Sequence, residues 1–157
     1  MERVMATKVQ AKPAELYEAD FYVWALAQAD LLRARRFDAL DLDNLIEEVE
    51  GLADTKLSAV LNGARVVIEH LLKLEFSPAT DPRNTWRASV REHRRRVQTD
   101  LTPRIERLLA DQLSRTYAMA RDDAAAGMRD HGEQSAADAL PATCPYSIEQ
   151  ITGDWWP

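Results

Sequence analysis

The sequence has little of what covalent or membrane anchoring requires. Cys144 is the one cysteine among 157 residues, so no disulfide can form within the chain. No apolar run approaches the roughly 18 residues of a membrane-spanning helix, and the stretch MERVMATKVQAKPAE lacks the apolar core of a signal peptide. Phosphate-binding glycine loops, nucleophile elbows and dinucleotide fingerprints are also missing. These absences predict a cytoplasmic protein without a membrane span and without a recognisable cofactor site.

The residues that are present follow a helical period. One seam recurs at steps of three and four residues for about nine turns. Its members are Leu42, Ile46, Val49, Ala53, Leu57, Val60, Ala64, Val67, Leu71 and Leu74. The seam predicts a helix over Leu42–Phe76 that is about 52 Å long at 1.5 Å per residue. A domain of this size does not need such a length, so we expect a bend near Gly51 or Gly63, or a projecting end.

Other stretches predict further helices, and no alternating strand pattern occurs. We expect a first helix over Glu15–Arg36, buried on several sides at Phe21–Ala27, and a third helix starting near Asn84 or Thr85. Thr102 and Pro103 are typical of the start of a fourth helix, and CPYSIEQITG of a short one ending at Gly153. The prediction is an all-α, irregular up-and-down bundle of about four main helices plus a short C-terminal helix.

The domain organisation follows from these elements. Residues 1–14 have mixed polarity and no periodicity, which predicts a flexible lead-in, and residues 15–157 have the size of a single helical domain. The last residues carry several large apolar side chains, among them Tyr146, Ile151, Trp155 and Trp156. We expect this segment to be docked on the bundle, because so much apolar surface is rarely left in water.

Charge is unevenly distributed along the chain. Residues 81–107 carry eight basic and four acidic side chains, whereas the net charge is −5 before this segment and −5 after it. On a helical wheel, four arginines form one flank of the third helix: Arg87, Arg91, Arg94 and Arg95. Three acidic residues form a flank of the long helix: Glu47, Glu50 and Asp54. We expect the two flanks to neutralise each other as an ion-pair rim, with the surplus positive charge available to a carboxylate- or phosphate-bearing partner or ligand.

Two other functions can be read from the residues. Glu47, Glu48 and His70 are candidates for a metal-binding or hydrolytic site between helices, although the Glu-x-x-His pairing of di-iron bundles is missing. The arginines of Arg87–Arg95 are candidates for nucleic-acid binding. An isoelectric point near 5.1 and the lack of interleaved aromatic residues argue against that role.

Four blocks of the chain resemble one bacterial family. They are DFYVWALAQADLLRARRFDALDLDNLIEEVEGL, VVIEHLLKLEF, WRASVREHRRRV and the closing CPYSIEQITGDWWP. In this order they resemble domain of unknown function 29, which is common in cyanobacteria and proteobacteria, from about Leu16 to Pro157. The resemblance implies a compact, mainly helical domain without an assigned biochemical role. It supplies no catalytic residues to carry over.

A protein-interaction or regulatory module is the function that the sequence favours. The chain has no catalytic signature, and helical domains of this kind often bind other proteins, although that inference is an analogy between folds. The partner is another protein or a second copy of this chain. The sequence leaves enzymatic activity open and does not define a small-molecule ligand.

Overall fold

The computed structural model describes the backbone of residues 13–157 and the side chains from Leu16 onward. Within that part of the chain the structure is all-α, as predicted, and has no β-strand. Its helices are α1 (Pro13–Ala19), α2 (Phe21–Arg33), α3 (Leu42–Phe76), α4 (Arg83–Asp100), α5 (Pro103–Asp111), α6 (Leu113–Asp130), α7 (Gln134–Asp138) and α8 (Ile148–Thr152), with a 3-10 turn at Phe37–Ala39. None of these described helices is both long enough and apolar enough to cross a membrane. Most of the predicted lead-in, residues 1–12, lies outside the described residues.

The described residues divide into two compact units. The first unit ends at Ala53, and the second unit is Asp54–Pro157, so α3 contributes to both. The bounds of α3 are those that the apolar seam predicts. Whether residues 15–157 behave as a single domain stays a prediction.

The first unit begins with two helices where one was predicted. The expected helix over Glu15–Arg36 is interrupted at Asp20, whose side chain accepts a hydrogen bond of 3.0 Å from the backbone N–H of Val23. A carboxylate in that position caps the helix that follows it, so α2 begins one residue later. Arg35 has a φ of 56°, and the turn after α2 closes with backbone hydrogen bonds back into the last turn of the helix. The prediction of one continuous helix is therefore wrong.

Trp24 is the centre of the first unit. Its side chain is 1% exposed, its Nε1 donates to Asp41 Oδ2 at 3.1 Å, and the Tyr17 ring packs edge-on at 4.8 Å. Gln28 Oε1 accepts from the backbone N–H of Asp41 at 2.9 Å, which holds the connection to α3 against α2. The expectation that Phe21–Ala27 is buried on several sides is wrong, because Trp24 is the one buried residue of this stretch. The exposed side chains of this stretch are Phe21, Tyr22, Val23 and Leu26.

The second unit contains a core contributed by α3 and all later helices. Its buried members include Val60, Ala64, Val67, Ile68, Leu71, Leu72, Val90, Val97, Leu109, Tyr117, Ala120, Ala124, Met128, Ala137 and Ile151. The seam of α3 is thus buried from Val60 onward, as its period predicts.

Local cap chemistry sets the remaining helix ends. Thr102 Oγ1 accepts from the backbone N–H of Ile105 at 3.3 Å, which confirms the predicted start of α5. The predicted fourth helix is interrupted at Gln112, and α6 ends before Gly132, which has a φ of 78°. The short helix α7 was not predicted. The terminal helix α8 was, and Ser147 begins it with a capping box.

Gly63 lets α4 approach α3 closely. A Cβ atom at this position would lie 2.6 Å from Cγ2 of Val97, whereas a Cβ at Gly51 would meet nothing within 4 Å. We expect Gly63→Ala to lower the free energy of unfolding by about 1–3 kcal/mol through overpacking, and Gly51→Ala to raise it by about 0.5–1 kcal/mol through helix propensity. Urea denaturation measures both. A Gly63→Ala protein as stable as Gly51→Ala would contradict the close approach.

Candidate functional site

Arg94 of α4 is a buried structural cation. Its side chain is 5% exposed and donates from Nε to Ile151 O at 3.0 Å and from Nη2 to Gln150 O at 2.6 Å and Trp155 O at 2.7 Å. Gln98, one turn later, donates to the carbonyl of Thr152 at 2.9 Å. The last carbonyls of a helix have no hydrogen-bond donor within the helix. Arg94 and Gln98 of α4 supply the donors for the last carbonyls of α8. The prediction that Arg94 belongs to an ion-pair rim is wrong, because these backbone carbonyls hold its guanidinium.

Arg94 also lies close to an aromatic ring, that of Trp156, and is influenced by a carboxylate, that of Asp154. The guanidinium carbon of Arg94 lies 5.1 Å from the ring centroid of Trp156, and the guanidinium carbon of Arg91 lies 6.0 Å from the same centroid. Burial lowers the pKa of Arg94, and the carboxylate of Asp154 opposes that shift. An arginine stays protonated in proteins, so a full positive charge sits beneath the C-terminal segment.

A cleft of about 590 Å³ opens beside this network. We call it the arginine cleft, and its lining residues are Ala88, Arg91, Arg94, Arg95, Gln98, Asp154 and Trp156. Arg91 and Arg95 are exposed, and neither takes part in an ion pair with the side chains that the structure describes. Arg87 is also exposed but does not line the cleft. Arg96 pairs with Glu92 on its own helix.

The acidic flank of α3 is exposed. Glu47 and Glu50 lie in the first unit and Asp54 begins the second unit, and none of the ion pairs between described side chains includes them. Within the second unit, Asp54 forms no ion pair with the described arginines of α4, and the part of the predicted rim that involves Glu47 and Glu50 stays a prediction. The counter-charge of Arg87, Arg91 and Arg95 stays a prediction.

Two of the three residues of the metal alternative, Glu48 and His70, make other contacts. Glu48 Oε1 accepts from the Tyr17 hydroxyl at 2.7 Å, which helps to raise the pKa of Tyr17 to about 12. His70 Nδ1 lies 2.9 Å from the carbonyl of Val66, and burial lowers the pKa of His70. Among the described residues, no three His, Cys, Asp or Glu side chains are grouped as metal ligands. Glu47 and Glu48 lie in the first unit and His70 lies in the second, so a site that joins the three stays a prediction.

The C-terminal segment is docked within the second unit, as its apolar side chains predict. Tyr146 is 4% exposed and donates from its hydroxyl to Glu75 Oε2 at 2.7 Å, while burial raises its pKa. The sequence indicated that this segment packs somewhere, but not on which helix. The contributions of Gln98, Asp154 and Trp156 to the cleft were therefore missed.

A second cleft, of about 790 Å³, lies near the C-terminal ends of α3 and α6. Its lining includes Lys73, Trp86 and His131. Lys73 already pairs with Glu69 at 2.6 Å, and His131 Nδ1 lies 2.8 Å from the carbonyl of Gly127. Lys73 and His131 thus already have partners within the fold.

Among the residues that the structure describes, those of the first unit leave the N-terminal part of the α3 seam uncovered. Ile46 is 55% exposed and Val49 is 63% exposed, and Leu42 is exposed as well. We call these three residues the bare seam. Asp43, Glu47 and Glu50 follow the same three- and four-residue spacing one position later. They therefore form a row of acidic side chains along the bare seam.

Comparison with known proteins supplies a family and no activity. A search of the curated proteins and a search of the solved structures each found no match. One family model, described as Domain of unknown function DUF29, matches residues 16–156. That match covers nearly the whole sequence, including α2 to α8 and the arginine cleft. The chain therefore belongs to the DUF29 family.

Proposed function

We propose that this protein is a protein-interaction module that binds an amphipathic helix of a partner protein along the bare seam. The supporting observation is that three large apolar side chains, spaced as one helical face, are exposed in the first unit. Contiguous exposed apolar surface commonly marks a contact site on a folded protein. The chemistry proposed for the partner helix follows from the period of this face and from the charge beside it.

The period of the bare seam favours a helical partner. Leu42, Ile46 and Val49 stand at helical steps, and the same seam is buried by neighbouring helices in the second unit, from Val60 onward. A partner helix that presents apolar residues at matching steps buries such a stripe in the way that helix-in-groove complexes do.

The charge along the bare seam favours basic residues on that partner. Asp43, Glu47 and Glu50 are exposed, and the described side chains offer them no ion pair. Opposite charges across an interface accelerate association and select the partner, whereas like charges suppress it. A partner helix with lysine or arginine beside its apolar stripe complements this flank.

The same charges argue against self-association through this face. In an antiparallel pair of α3 helices, a second copy would place its own acidic flank beside the first, and like charges would meet. Self-association and a regulatory role without a helical partner are the functions that compete with this proposal. A cytoplasmic location remains part of the proposal, supported by the single cysteine. Nucleic acid is disfavoured as a partner of the bare seam because the flank is acidic.

Model peptides test this proposal. We expect an 18-residue leucine–lysine peptide with a helical apolar period to bind the full chain in a fluorescence-anisotropy titration, and a leucine–glutamate peptide of the same period not to bind. Ile46→Asp or Val49→Asp should weaken the affinity for the leucine–lysine peptide by about tenfold or more, since apolar anchors of an interface contribute over 1 kcal/mol each. The double change Glu47→Lys with Glu50→Lys should reverse the preference between the peptides.

Matched variants in the second unit control for non-specific attraction. Met119→Asp also replaces an exposed apolar side chain, and Asp122→Lys with Asp130→Lys alters the net charge as much as the paired lysine change. Both should leave the affinity within about twofold of the original protein. The proposal fails if the leucine–lysine peptide does not bind, or if the control variants lower its affinity as much as the bare-seam variants do. It also fails if sedimentation shows dimers that Val49→Asp dissociates.

A further inference from the structure

We propose that the arginine cleft is a binding site for a small molecule that carries an oxyanion, either a phosphate or a carboxylate group, with Arg91 and Arg95 as its ligands. The site lies within the second unit and is independent of the bare seam. Arg91 and Arg95 belong to the arginine flank whose surplus positive charge the sequence assigns to a carboxylate- or phosphate-bearing partner or ligand.

The first step of the argument is that the cleft has a rigid floor. Arg94 is held by three backbone carbonyls, and Gln98 is held by the carbonyl of Thr152. These bonds join α4 to the segment that carries Asp154 and Trp156. A site whose walls are held in this way is formed before a ligand arrives, which limits the entropy lost on binding.

The second step is the charge of the lining. Three arginines face one aspartate, which leaves a surplus of two positive charges inside a chain whose net charge is −6. Asp154 acts electrostatically on the buried Arg94. Arg91 and Arg95 are the exposed members of the set, and no described carboxylate pairs with them. Their positive charge is available to an anion from solution.

The third step is the kind of anion. Arg91 and Arg95 are four residues apart, so both guanidinium groups project from one side of α4. A guanidinium presents paired N–H donors that match the oxygen atoms of phosphate and carboxylate. A volume of about 590 Å³ lies in the range of small-molecule pockets. Trp156 supplies the apolar surface that a ligand body requires.

Titration with defined anions tests this site. We expect inorganic phosphate, phenyl phosphate and citrate, added to the full chain at constant ionic strength, to give saturable binding in calorimetry for at least one probe. The phosphates and citrate separate the two oxyanion sources, and phenyl phosphate tests the apolar wall. The indole N–H resonance of Trp156, identified with Trp156→Phe, should shift with the same saturation.

Arg87 provides a matched control on the same helix. Arg91→Gln and Arg95→Gln should each weaken binding by on the order of tenfold, because each removes a charged hydrogen-bond donor. Arg91→Lys should recover only part of the affinity, since an ammonium lacks the paired donors. Arg87→Gln should leave it within about twofold. The proposal is overturned if no probe saturates, if Arg87→Gln weakens binding as much as the others, or if single-stranded RNA or a polyglutamate peptide displaces every probe at lower concentration.

Discussion

The Arg94→Met protein should lose about 3–5 kcal/mol of unfolding free energy. The change removes three hydrogen bonds from a charged donor to the carbonyls of Gln150, Ile151 and Trp155, and it leaves these buried or part-buried carbonyls without that donor. It also removes the cation that lies against the Trp156 ring. The C-terminal segment should detach before the rest of the second unit unfolds. Urea denaturation gives the magnitude, and hydrogen exchange of the amides in α8 gives the location.

The neighbouring arginine is the control for this prediction. Arg95 is exposed and lies on the same helix, so Arg95→Met should alter the unfolding free energy by less than about 0.5 kcal/mol. Arg94→Lys retains the charge, but its single ammonium cannot serve three acceptors in a planar arrangement, and it should recover less than half of the loss. Equal stability of the Arg94→Met and Arg95→Met proteins would refute the assigned role.

Trp24→Ala should destabilise the first unit by about 3–5 kcal/mol, the usual cost of truncating a buried tryptophan. Trp24 is 1% exposed, contacts the rings of Tyr17 and Phe21, and donates to Asp41. Because the first unit has no other large side chain that is fully buried among its described residues, amide protection in α2 should fall by about two to three orders of magnitude. Hydrogen exchange followed by mass spectrometry measures the amide protection of α2.

Two other tryptophan variants serve as controls for the Trp24→Ala prediction. Trp24→Phe keeps an aromatic ring and removes the indole N–H that binds Asp41, so it should cost less than the alanine change. Trp155 is 36% exposed, and Trp155→Ala should leave protection in α2 unchanged. If Trp24→Ala lowers protection equally in α2 and in the second unit's core helices, the indole does not act on the first unit alone. The lysine peptide should also bind this variant weakly, since α3 loses its packing partners.

Burial in the first half of the chain shows the limit of pattern reading. The period of the α3 seam predicts the bounds of that helix, because apolar spacing reports which side chains share a face. The same period continues through Leu42, Ile46 and Val49, which are exposed, and through Val60, Ala64 and Val67, which are buried. Spacing within one helix carries no information about whether another element covers it. The stretch Phe21–Ala27 shows the same limit, since Trp24 alone is buried there.

The sequence by itself determined the helical class, the bounds of α3, the start of α5 at Thr102 and the terminal helix that Ser147 caps. Each of these depends on interactions within a few residues: apolar period, cap hydrogen bonds and the missing N–H of proline. Only the tertiary structure decided that Arg94 holds the carbonyls of α8, 56 and 57 residues further along the chain, while Arg91 and Arg95 face an open cleft. The physical reason is that four arginines on one helical flank look equivalent in sequence. Their roles separate when a distant segment brings its unpaired carbonyls against one of them.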